Sequence, residues 1–243
     1  MYRLLATPRM GLPRSLGMSG VLFALVASTM HLKGAVPVAM TMSPAITVVC
    51  LVVSVLVGQG IQAITKTILG SLSPEQQRNF FWPLFGSTLL LLLMHGIIDE
   101  QVKTPAAPWG MFSYQQAFTP EKTQEILSSW SDQQRIWVAF ALGLDQLLIV
   151  LYSFSVALAC MIVGAGDELA NDLAAAQFVA GLLDFIENAF SLYNLQTRFP
   201  LNPQNTLGAG ICSTLKFAMV AGGVIYVVIL YCFQAMRPGA RFD

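Results

Sequence analysis

From Phe80 to Ile98 the chain carries no Asp, Glu, Lys or Arg, and Leu89 to Leu93 is unbroken leucine. A helix rises about 1.5 Å per residue, so a run of this length crosses roughly 30 Å of hydrocarbon. Three further runs follow: Ile136 to Val163, Leu173 to Leu192, and Gly210 to Phe233. Inside lipid every backbone N–H and C=O needs a partner within the protein, which leaves helices or a closed barrel. The runs are continuously apolar rather than alternating, so a barrel does not fit. The expected fold is all-α: a polytopic transmembrane helical bundle of four spans, plus one or two N-terminal ones. The lipid bilayer is then the first partner. The membrane is the plasma membrane if the chain is prokaryotic, and an organellar membrane is one option if it is eukaryotic.

Composition excludes several alternatives. Charged residues make up 11% of the chain, against roughly 25% in a soluble domain. Formal net charge is zero and there is no basic run, so no nucleic-acid surface is expected. Cys50, Cys160, Cys212 and Cys232 lie in or beside apolar runs without C-x-x-C spacing, and read as small buried hydrophobes rather than metal ligands. The glycine pairs at 58/60 and 164/166 make no phosphate-binding pattern. No cofactor, metal or protein partner is indicated.

Residues 1–74 contain no Asp or Glu, and Arg3, Arg9 and Arg14 precede an apolar stretch. Residues 1–43 therefore read as a targeting segment or a first membrane helix. Residues 44–75 read as an additional membrane helix in which Gln59 and Gln62 share a face. Residues 80–233 form a four-helix transmembrane core, and 234–243 a polar tail. The core is interrupted by a polar loop at 101–134. There, Thr119-Pro120-Glu121 has the form of a helix cap, followed by a short amphipathic helix through Ile126, Leu127 and Trp130. Trp109, Trp130 and Trp137 are expected near the headgroups, where indoles are enriched. Lysines and arginines at the span ends favour both termini in the cytoplasm.

The informative residues are the ionisable ones within the spans, because each costs about 2.5–3.5 kcal/mol to insert and so faces the bundle interior. Alternating span directions make depths comparable from the side that carries the 101–134 loop. Asp145 lies about nine residues in, near 14 Å deep, and Asp184 lies about eight residues from the same side. Asp184, Glu187 and Asn188 share one helix face, and Lys216 is level with Glu187 and Asn188. His95 and Asp99, four apart, end their span on that side. The seven residues converge as a buried cluster: His95, Asp99, Asp145, Asp184, Glu187, Asn188 and Lys216. Gln146, Tyr152 and Tyr193 are outlying neighbours.

Three readings stay open. In the first, Lys216 pairs with Glu187 or Asp184 and the network only fixes helix register. In the second, carboxylates at equal depth bind or transport a cation, a proton or a small amphiphile, so that a small molecule or lipid is the ligand. In the third, His95 and the carboxylates make an intramembrane enzyme acting on a lipid-like substrate. Two histidines in the whole chain are too few for an ordinary zinc site.

Three pieces carry a likeness to known proteins: Phe118 to Trp130 before a span with Leu144-Asp145-Gln146, Gly181-Leu-Leu-Asp184-Phe-Ile-Glu187-Asn188, and Leu215-Lys216-Phe-Ala. In these the chain resembles small bacterial-type multi-span membrane proteins with a four-helix core and uncharacterised function. The resemblance implies the architecture over residues 80–233 and points to Asp145, Asp184, Glu187, Asn188 and Lys216. It implies no reaction.

Overall fold

The computed structural model describes residues 60–236, apart from 62, 166, 198 and 199. The expectations for 1–43, for 44–59 within 44–75, and for 237–243 of the 234–243 tail lie outside the described residues, and the last helix takes in residues 234 and 235. Among the described residues the fold is all-α, with no sheet. Four helices are long and apolar enough to cross a membrane: α1 (Pro74–Gln101), α4 (Asp132–Gly164), α5 (Glu168–Gln196) and α6 (Pro203–Ala235). Two short ones, α2 (Met111–Gln115) and α3 (Pro120–Ser129), lie between α1 and α4. The chain is a polytopic helical membrane protein.

The helix starts are written locally. Ser73 caps α1 and exchanges hydrogen bonds with Gln76, while Pro74 takes the first turn, where its missing N–H costs nothing. Ser131 and Gln134 repeat the same box at α4. Thr119 with Pro120 opens α3, and Asn202 with Pro203 opens α6. The helices exceed the apolar runs at both ends because capped polar turns extend each span toward water.

In packing, α4 and α5 are the inner pair and α1 and α6 are more exposed. The α4 helix packs on α1, α5 and α6, and α5 packs on α6. Leucines 89, 90, 92 and 93 are exposed, as expected of side chains solvated by lipid. Gln134 Nε2 donates to the Gln101 carbonyl at 3.1 Å, and Gln234 Nε2 to that of Val163 at 2.9 Å. These bonds set the register of α1 on α4 at one end of the bundle and of α6 on α4 at the other.

The 101–134 connection is a folded cap. Val102, Met111, Tyr114, Ile126, Leu127 and Trp130 are buried together with Ile98, Val138 and Leu142 of the spans. Trp130 corrects one expectation. Its indole is buried, Nε1 donates to the Val102 carbonyl at 2.7 Å, and its ring meets Tyr114 edge-on at 5.3 Å. A polar indole N–H with an internal partner gains more by closing the cap than by lying at a headgroup. Trp109 is exposed, and Trp137 lies at the exposed limit.

Candidate functional site

Three spans place charged side chains at one level. Lys216 of α6 forms ion pairs with both Asp184 and Glu187 of α5. Residues 184 and 187 are three apart, so their carboxyl groups lie on one face of α5, and a single ammonium reaches both. Tyr152 of α4 donates its hydroxyl to Asp184 Oδ2 at 3.1 Å. Asn188, one residue after Glu187, donates Nδ2 to Asp145 Oδ2 at 2.8 Å. His95 of α1 places Nε2 at 3.7 Å from Asp145 Oδ1 and has no closer hydrogen-bond partner. Asp145, Asp184, Glu187, Asn188 and Lys216 are all buried, with Glu187 at 0% exposure.

Six of the seven predicted residues therefore fall in two contact groups, His95, Asp145 and Asn188 in one and Glu187, Lys216 and Asp184 in the other, joined into one chain because Glu187 and Asn188 are adjacent in α5. Asp99 leaves that chain. Its Oδ1 accepts the Met111 N–H at 2.7 Å, holding the start of α2 against the end of α1. The turn before it needs Gly110 at φ +54, where a Cβ would run into the Asp99 carboxylate. Asp99 positions the cap. Tyr193 is exposed and takes no part. Tyr152 joins through Asp184.

Three residues outside the prediction complete the surroundings. Tyr114 of α2 donates to the Ser191 carbonyl at 2.7 Å, about one turn of α5 beyond Asn188. Burial pushes its phenol well above the usual range, so the hydroxyl remains a donor at neutral pH. Gln116 donates to Ser213 Oγ at 2.9 Å and accepts from Thr214 Oγ1 at 3.2 Å, about one turn before Lys216. The cap thus closes the cluster on the loop side. Gly143, the third, lines a groove of about 350 Å³ between α4 and α5, with Leu142, Gln146, Phe185, Asn188 and Leu192. Phe185 and Leu192 are exposed, so the groove opens where the bilayer lies.

Among the described residues, no group of three or more His, Cys, Asp or Glu side chains is arranged to hold a metal ion. The acids are engaged by lysine, tyrosine and asparagine instead. The chain matches no protein-family model, no curated protein and no solved structure.

Proposed function

We propose that the buried cluster is a proton-binding site and that the chain works as a membrane-embedded binding protein. One observation carries this. Among the described residues Lys216 is the one cation buried in the cluster and pairs with Asp184 and Glu187, while Asp145 lies beside His95 and Asn188. Counting His95 as neutral, three acids against one lysine leave an excess of two negative charges. An uncompensated buried ion costs several kcal/mol, and inside a bilayer the expense is at least as large. Bound protons remove it at the smallest steric demand. The titratable groups that face the cluster are His95 on α1, Asp145 and Tyr152 on α4, Asp184 and Glu187 on α5, and Lys216 and Cys212 on α6, with Tyr114 facing from the cap.

A purely structural ion pair needs one acid per lysine and is balanced with Asp184 or Glu187 alone. The surplus supports a site that exchanges charge. A transport or enzymatic role requires a second species at the cluster.

Infrared spectroscopy of the protein in nanodiscs tests the reading directly. At neutral pH the spectrum is expected to contain the absorption of protonated carboxyl groups, diminished in Asp184→Asn or Glu187→Gln. A spectrum in which every buried carboxyl is ionised, unchanged by either substitution, overturns it.

A further inference from the structure

The groove between α4 and α5 has polar chemistry of one kind. Gln146 spends its Nε2 on the Leu142 carbonyl at 3.2 Å, and Asn188 spends its Nδ2 on Asp145. The remaining oxygens, Gln146 Oε1 and Asn188 Oδ1, are buried and have no hydrogen-bond partner. Asn188 is almost wholly buried while lining the groove. A buried carbonyl oxygen left unpaired is costly, and both residues line the same groove, so a donor that enters it is the partner these covered oxygens lack. Among the described residues no lysine or arginine lines the groove, and beyond Asn188 stands the acid-rich cluster. A phosphate or carboxylate head would be repelled there. A positively charged donor satisfies both the oxygens and the charge.

The rest of the ligand follows from the walls. Leu142, Phe185 and Leu192 are apolar and the opening faces lipid, while the cap occupies the loop side. Entry is lateral, and the tail remains among acyl chains. We propose that this groove binds a single-chain ammonium amphiphile, a long-chain primary amine, with its head donating to Gln146 Oε1 and Asn188 Oδ1. The inference rests on the proton-site reading in one respect: the ammonium replaces one bound proton of the cluster. One positive charge enters and one proton leaves to water, so the buried charge is unchanged.

The test uses the full chain in nanodiscs of zwitterionic lipid at neutral pH, with dodecylamine as probe and dodecanol and dodecyl phosphate as comparators. The chain is expected to bind dodecylamine saturably, about tenfold more tightly than the alcohol, with one proton released to a weakly buffered medium. Gly143→Leu is the informative variant. A Cβ at Gly143 meets nothing within 4 Å, so leucine fills the groove without displacing the helix. Loss of dodecylamine binding by about tenfold with an unchanged unfolding midpoint supports the assignment. Non-saturable partitioning, binding unaffected by Gly143→Leu, or equal affinity for the alcohol overturns it. Saturable, groove-dependent binding without proton release leaves the groove assigned and overturns the proton site instead.

Discussion

The two halves of the bundle hold together by different means. On the loop side, helices meet through charges and hydrogen bonds under a cap. On the other side, Ala157, Leu158, Cys160, Met161 and Ala174 pack in a dry layer with Leu69. In that layer small residues let helices approach: a Cβ at Gly223 would strike Gln177 Nε2 and Val156, and Cys160 donates its thiol to the Gly223 carbonyl at 3.8 Å. Lipid tails are as apolar as leucine, so apolar burial alone does not select one helix contact over another. The apolar half is specified mainly by shape, with single hydrogen bonds such as those from Gln177 to the Met219 carbonyl and from Gln234 to the Val163 carbonyl added to it. The polar half is specified by satisfaction, where one missing partner strands several groups.

The sharpest break of that contrast is Lys216→Met. It removes the only cation within ion-pair distance of Asp184 and Glu187 among the described residues while keeping much of the side-chain volume. Breaking a buried pair by deleting one partner costs about 3–5 kcal/mol, so folded yield and the denaturation midpoint in detergent should both collapse. Adding Asp184→Asn and Glu187→Gln to the same chain should restore most of the loss. Failure of the triple variant to recover would mean that Lys216 matters for packing more than for charge.

In the dry half the comparable insult is Gly223→Leu. Overpacking typically costs about 1–3 kcal/mol, and here α5 and α6 must part to admit the side chain. The unfolding midpoint should fall by less than for Lys216→Met. A fall as large would remove the distinction between the halves.

The cap gives a smaller effect. Tyr114→Phe keeps the ring on Trp130 and leaves the Ser191 carbonyl without its donor. The expected loss is about 1 kcal/mol, seen as faster hydrogen exchange over residues 102–131 with the spans unaffected. Because burial keeps the phenol protonated, the difference from the unaltered chain should be the same in mildly acidic and mildly alkaline buffer. A difference that vanishes on the alkaline side would show that the hydroxyl titrates and the cap is open.

Much of this could be read from the chain, for a physical reason. Membrane thickness acts as a ruler, and counting residues from a span end puts Asp145 level with Asp184, and Lys216 level with Glu187 and Asn188. Thr119-Pro120-Glu121 marks the start of α3 equally directly. Depth says nothing of rotation about a helix axis or of what a loop folds against. Asp99 has the right spacing from His95, yet α1 ends two residues later and its carboxylate is taken by a loop amide. Trp130 looked interfacial because tryptophan usually is. Tyr114 reaches a backbone carbonyl, and such a target leaves no trace in residue types. Gly143 reads as one more small residue in an apolar helix, and only the packing of α4 against α5 shows space beside it.

The smallest effect separates burial from mere acidity. Asp167 and Glu168 are as acidic as Asp184 and Glu187, but they are exposed at the start of α5, where water screens them and the helix N-terminus favours negative charge by about 0.3–1 kcal/mol. Asp167→Asn or Glu168→Gln should therefore change stability by only about 0.5 kcal/mol. Asp184→Asn and Glu187→Gln each disrupt a charge-assisted contact in the bundle and should cost about 2 kcal/mol. Folded yield and unfolding midpoint in detergent, measured on all four single variants, decide the matter. Equal values would place all four acids in equivalent surroundings, and the charge excess on which the proton site depends would no longer be a buried one.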